Sequence, residues 1–381
     1  MAYGKKNQIK INPFEYNIGL IGESGIGKTT IIWEMCRKHL GDDGVLFAEC
    51  GKEDGADAIN GLNYINCPEW SADYDEDANA VGFEDLIDDI IENKTTEYPS
   101  LKVLVIDTYD QLVDIAKDEV VRMHNRLNPD KQVKTIKAAF GGFMAGDDKA
   151  TEIVLNKLWE LKKVGVHFII IGHVKVKSQS DVKTGQEYQT LTTNMSNRDF
   201  TAIKTKLHFL GVAYIDREFL HERTGKKDAK GKEIIKSTVA KESRRITFRD
   251  DNYSVDSKSR FANIVNEIPF DPDELYNALC DAIKSEATKG GKPIETMAKE
   301  QAVAAEEREK EIAKAEEERR AKKSFDDNMA KIISYIKENV KTNMDAIRKI
   351  SAETKKMGYD NPTLITKPED AEAILALIET L

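Results

Sequence analysis

Residues 22–29 read Gly22-Glu23-Ser24-Gly25-Ile26-Gly27-Lys28-Thr29, which satisfies G-x-x-x-x-G-K-[ST] at every fixed position. The apolar stretch 16–21 precedes it and reads as a strand; residues 30–37 follow and read as a helix. Strand, glycine-rich loop and helix in that order form the context in which this pattern cradles phosphate. Gly22, Gly25 and Gly27 permit a tight backbone path that turns consecutive N–H groups inward. The helix N-terminus adds its dipole. Lys28 is expected at the β- and γ-phosphates, and the Thr29 hydroxyl on Mg²⁺. Glu23, Ser24, Ile26 and Thr30 complete the expected nucleotide-binding segment.

Working outward, the chain alternates strands and helices. Val45–Ala48 reads as a second strand and Val81–Glu92 as a helix. Val103–Ile106 is a continuous apolar run of the buried parallel-strand kind. Residues 150–164 form an amphipathic helix, with Ile153, Val154, Leu158 and Leu161 on one side, and 166–171 another buried strand. This alternation predicts an α/β domain with a parallel central sheet. Hairpin-like pieces follow at 208–221, 234–239 and 245–248, with a polar loop at 225–232.

The chain has 381 residues and a net charge of −10, but the charge is polarised. Residues 41–100 carry 17 Asp/Glu against 2 Lys/Arg, whereas 171–249 carry 17 Lys/Arg against 9 Asp/Glu. The acidic block reads as a solvated surface and the basic block as a candidate polyanion face. The four cysteines, Cys36, Cys50, Cys67 and Cys280, show no zinc or disulfide spacing, which fits a reducing cytosol. No stretch approaches a membrane span and no signal peptide is recognised.

Three strand ends carry candidate chemistry. Asp107 closes an apolar strand, where a P-loop enzyme holds its metal directly or through water. Glu49 closes the second strand and is the expected base for an attacking water, with Glu53 as runner-up. His173 closes the run Ile169-Ile170-Ile171-Gly172 and leads into the basic segment from Val174. It is either a γ-phosphate sensor or a structural hydrogen bonder. Asp110 reads as a loop or cap residue.

The order of P-loop, Glu49, Val103-Leu104-Val105-Ile106-Asp107 and Gly172-His173-Val174-Lys175 resembles the RecA-type ATPase core. It is most similar to compact phage-encoded RecA-like, AAA-type ATPases that assist single-strand annealing. The likeness covers about 16–265. Lys258-Ser259-Arg260-Phe261 is similar to the Lys-Asn-Arg-Phe-Gly signature of RadA-type relatives, with Ser259 for Asn and Ala262 for Gly. The resemblance implies that Lys258 and Arg260 act across a subunit interface on a neighbour's phosphates, in a homo-oligomeric ring or filament. Arg244 and Arg245 are the alternative fingers. It also implies two loops for single-stranded DNA. The first lies within 125–149, with Lys137, Phe140 and Phe143. The second runs from Lys175 to about Lys206, with Lys177, Lys183 and Arg198. Cations for phosphates and rings for bases suit such a strand.

Residues 295–323 are almost all Ala, Glu, Lys and Arg, and predict a long solvated helix. Residues 325–381 regain an apolar pattern and read as a small helical module for a protein partner, or a helical cap with none. The expected domains are an N-terminal tail 1–15, an ATPase core 16–270, a linker and charged helix 271–324, and the module 325–381. Together these imply a Mg²⁺-dependent ATPase acting on single-stranded DNA in phage recombination or replication, in the (host) cytoplasm and away from membranes. A ring-forming replication or packaging motor, or an assembly scaffold without turnover, are the alternatives.

Overall fold

The computed structural model describes residue 4 and residues 7–52, 55–180, 185–227, 233–249 and 256–381. In chain order the elements around the P-loop are β1 (Ile18–Gly22), α1 (Lys28–Leu40), β2 (Val45–Cys50), β3 (Tyr64–Cys67), α2 (Phe83–Glu92), β4 (Val103–Asp107), α3 (Tyr109–Leu127) and α4 (Ala145–Lys163). Then come β5 (His167–Ser180), β6 (Glu187–Thr193), α5 (Asn197–Lys204), β7 (Phe209–Lys227), β8 (Glu233–Thr247), β9 (Lys258–Ser259), β10 (Glu267–Pro269) and α6 (Pro272–Thr288). The chain ends with α7 (Ile294–Asn339), α8 (Met344–Lys356) and α9 (Pro368–Ile378).

One sheet runs β10-β8-β7-β1-β5-β4-β2-β3, with β6 paired to β5 and β9 to β7. From β7 to β3 along this path the pairing is parallel; β8, β9 and β10 join antiparallel. The fold is thus α/β with a mainly parallel central sheet, and the P-loop joins β1 to α1. β1, β2 and β4 are buried along their whole length, which is why they read as unbroken apolar runs.

Register decides where the site lies. Gly22 of β1 is level with His173 of β5 and Ala213 of β7, and Glu49 is level with Asp107. The carboxyl ends of β1, β2 and β4 therefore share one edge, where open α/β sheets bind ligands. β5 and β7, the two strands flanking β1, continue past that edge as hairpins with β6 and β8.

The polar loop expected to begin at Lys175 is instead strand. Val174-Lys175-Val176-Lys177 alternates apolar and charged residues, and this period of two pairs in register with Leu191, Thr192 and Thr193 of β6. The amphipathic helix begins five residues before the expected 150, because Asp147 and Asp148 supply an acidic first turn.

α1 buries Ile31, Ile32, Trp33 and Met35, and α6 buries Leu275, Leu279, Ala282 and Ile283 into the same core. Each buried leucine, isoleucine and methionine among them contributes about 1.5–3 kcal/mol. Lys38 pairs with Asp273 at 2.6 Å and His39 stacks on Tyr276, which fixes α6 along α1. All four cysteines are buried thiols. Burial, with Cys67, Asp107 and Glu49 adding negative charge, pushes the Cys50 thiol well above its ordinary value, so it stays protonated.

The chain divides into two compact units, residues 1–91 with 96–306, and 92–95 with 307–381. The charged segment forms part of α7, a single helix of 46 residues. In the second unit Ile332, Ile350, Ile365, Ala371 and Ile374 form a small core. Its last helix starts at Pro368 with Glu369 and Asp370 in the first turn, where proline and acidic side chains suit a helix N-terminus. Among the described residues no helix is long and apolar enough to cross a membrane.

Candidate active site

The P-loop runs from the end of β1 to the first turn of α1. Gly25 and Gly27 have φ of +72° and +101°, a region that favours glycine. The Lys28 ammonium donates to the carbonyls of Gly22 and Glu23, at 3.3 and 3.0 Å, which holds it above the loop. Not every residue of the octet offers its side chain to this space. Ile26 is buried in the core, and the Glu23 carboxylate accepts from the Ile215 N–H of β7 at 3.0 Å. Ser24 and Thr30 are exposed.

Thr29 Oγ1 donates to Asp107 Oδ2 at 2.6 Å, so the hydroxyl and carboxylate expected on the metal meet directly. Glu49 is buried, and its Oε1 accepts from the Ala56 N–H at 2.6 Å. A methyl group on Gly55 would meet both Glu49 Oε1 and Thr29 Oγ1, at 3.6 and 3.9 Å. Glu49, Thr29 and Asp107 thus border one space. Glu53 lies outside the described residues. Among the described residues no group of three or more His, Cys, Asp or Glu could hold a metal by itself. Mg²⁺ in nucleotide sites takes one or two protein ligands and completes its octahedron with phosphate oxygens and water, which the Thr29–Asp107 pair fits.

His173 Nδ1 lies 3.2 Å from Asp110 Oδ2, and Asn194 Nδ2 donates to the same oxygen at 3.0 Å. Asp110 is no loop residue: it sits in the first turn of α3 and is buried. Burial works to raise its carboxyl, but the hydrogen bonds from His173 and Asn194 hold it below its ordinary value. Asp110 thereby pins the root of the β5–β6 hairpin three residues from Asp107. Sequence reasoning missed Asn194; it carries no local signal, since its partner is 84 residues away.

Lys258 and Arg260 lie beside the N-terminal end of β7, at the opposite end of the sheet from their own P-loop. Lys258 Nζ donates to the Lys204 carbonyl at 2.6 Å, and Arg260 to the carbonyls of Leu207 and Thr205. Burial, then Arg260 and Lys204, lowers the Lys258 ammonium. Of the alternative fingers, Arg245 pairs with Glu267 at 2.6 Å. Arg244 reaches its own P-loop, donating to the Ile26 carbonyl at 3.1 Å.

The nucleic-acid candidates separate into two groups. Lys137, Phe143 and Lys175 are exposed, Phe143 fully. Phe140 packs edge-on to His124, Lys177 donates to Met195 O and Asn197 Oδ1, and Arg198 pairs with Asp148. Lys183 lies outside the described residues. The segment Phe140-Gly141-Gly142-Phe143-Met144 has positive φ throughout, a costly geometry for its non-glycine residues.

Comparison with known proteins agrees with this geometry. The AAA domain matches residues 15–261. No curated protein matches the sequence. Among solved structures, a KaiC-like protein of the hyperthermophilic archaeon Pyrococcus horikoshii OT3 is 13% identical, with a TM-score of 0.33 over 67% of this chain and 85% of that one. The flagellar accessory protein FlaH of Methanocaldococcus jannaschii is 8% identical, with a TM-score of 0.29 over 65% and 84%. Likenesses this distant bear on no functional argument. The P-loop, the Thr29–Asp107 bond and the extent of the domain match carry the assignment: the chain belongs to the AAA-domain family of P-loop ATPases.

Proposed function

We propose that the protein hydrolyses ATP in the presence of Mg²⁺ and couples that reaction to single-stranded DNA, in recombination or replication of the kind served by the phage-encoded ATPases its motif order resembles. The observation that carries this reading is topological. The two strands flanking the P-loop strand are the two that overrun the catalytic edge, and the two hairpins they open, 167–193 and 209–247, carry 13 of the 17 Lys/Arg of the basic block.

In the reaction, Lys28 and the inward N–H groups of the loop hold the β- and γ-phosphates. Thr29 and Asp107 would hold Mg²⁺, which would supply charge neutralisation on the transferring phosphoryl group. Glu49 accepts a proton from the attacking water and orients it. His173, bonded to Asp110, relates the phosphate end of the site to the β5–β6 hairpin. Lys258 and Arg260 serve a neighbouring subunit, since the sheet separates them from their own loop. Lys137, Phe143 and Lys175 meet the strand, cations on phosphates and the ring on bases. Residues 325–381 recruit a protein partner.

Fluorescence anisotropy of a labelled oligothymidylate tests the coupling. The Glu49→Gln protein with ATP and Mg²⁺ should bind the oligonucleotide more tightly than the same protein without nucleotide. Equal affinity in both states, or no binding at low salt, would contradict it.

A further inference from the structure

The strand order separates two halves of the nucleotide site. Asp107 and Glu49, on β4 and β2, lie on one side of β1; β7, β8 and β10 lie on the other. The metal and the γ-phosphate belong with Asp107 and Glu49. The phosphate chain is therefore oriented, and the nucleoside must leave the loop toward β8 and β10. Two side chains stand there. The ring of Phe270, from the turn between β10 and α6, would lie 3.6 Å from a methyl group on Gly27, and Arg244 Nη1 3.8 Å from it. Both therefore border the P-loop at the residue that opens α1.

Their placement is built in. The Phe270 N–H donates to the Arg244 carbonyl at 3.0 Å, so strand end and ring are held in register. Arg244 in turn clasps the Ile26 carbonyl. Asp271 caps α6 by accepting from the N–H groups of Asp273 and Glu274, which fixes the turn that carries the ring. Phe270 is only partly buried against the core, so ring surface remains for a ligand.

We propose that Phe270 and Arg244 form the nucleoside subsite of this P-loop: the Phe270 ring stacks on the nucleobase, and the Arg244 guanidinium lies beside the sugar and α-phosphate. The inference rests on the ATPase reading above and adds to it the residues that recognise the nucleoside. A phenyl ring offers a base a stacking face, and a guanidinium has five donors, more than the Ile26 carbonyl can use.

Calorimetric titration with ATP and with inorganic tripolyphosphate, both with Mg²⁺, tests it on the whole chain. Tripolyphosphate has the phosphates and no nucleoside. The wild-type protein should bind ATP more tightly than tripolyphosphate. Phe270→Leu keeps an apolar side chain against the core; it should weaken ATP roughly tenfold, within the range that loss of base stacking on an aromatic ring produces, and leave tripolyphosphate unchanged. Phe270→Trp should restore ATP affinity, and ATP, not tripolyphosphate, should quench the introduced indole relative to wild type. The Trp variant keeps the test decisive if Phe270→Leu does not fold. Equal weakening of both ligands, no weakening of either, or an indole indifferent to ATP would overturn the subsite. Equal wild-type affinity for the two ligands would overturn the subsite alone. A wild-type protein that binds neither would overturn the ATPase reading and the subsite with it.

Discussion

At the scale of single residues, the proposed reaction divides binding and hydrolysis between different groups. Lys28 touches the phosphates in ground and transition states, so Lys28→Ala should lower turnover by at least ~10²-fold, comparable with loss of one preorganised transition-state donor. In that proposed reaction Glu49 acts only on the water. Glu49→Gln should keep ATP affinity within a few-fold while phosphate release falls by about 10²–10⁴-fold. Calorimetry and phosphate-release assays on both variants separate the roles. Loss of turnover in Glu53→Gln rather than Glu49→Gln would move the base to Glu53. His208 gives a pH signature. Its Nδ1 accepts from the Asn17 N–H at 3.1 Å. Burial, then Arg260, Lys162 and Lys258, hold its pKa down from 6.5 to about 4. Between those values the unfolded chain binds a proton that the folded protein does not, so stability is complete above pH 6.5 and falls as pH drops toward 4. Thermal melts should show this fall, and His208→Gln should flatten it. An unchanged profile in the variant would assign the pH dependence to other groups.

At the scale of elements, the parts legible in the sequence were those with local causes. The P-loop is a contiguous octet, and β2, β4 and the first part of β5 are apolar because parallel strands are buried on both faces. α3 was not recognised, although Leu112, Val113, Ala116 and Val120 have helical spacing. β3 spans four residues with alternating burial, too short to stand out. The Asp110–His173–Asn194 cluster joins α3, β5 and the end of β6 and left no mark in any one segment. The β5–β6 hairpin makes its own prediction. Lys175 is exposed, whereas Lys177 is spent on Met195 and Asn197. Lys175→Ala should weaken oligonucleotide binding about equally across sequences and reduce the salt slope by about one. An unchanged slope would remove Lys175 from the DNA face.

At the scale of the whole molecule, the polarised charge has a structural counterpart. The basic block spans the two long hairpins beside the P-loop, and the acidic block contains β2, β3 and α2. On the proposed reading, a strand drawn to the hairpins by charge lies over the edge that holds Lys28, Thr29, Asp107 and Glu49. Hydrolysis and DNA binding then share one end of the sheet, and the rate should respond to DNA in a salt-sensitive way, because phosphate contacts release counterions. The most direct test is steady-state ATP hydrolysis by the full chain with and without single-stranded DNA, across a salt titration. The account predicts stimulation by DNA that fades as salt rises. Turnover indifferent to DNA at every salt concentration would contradict it.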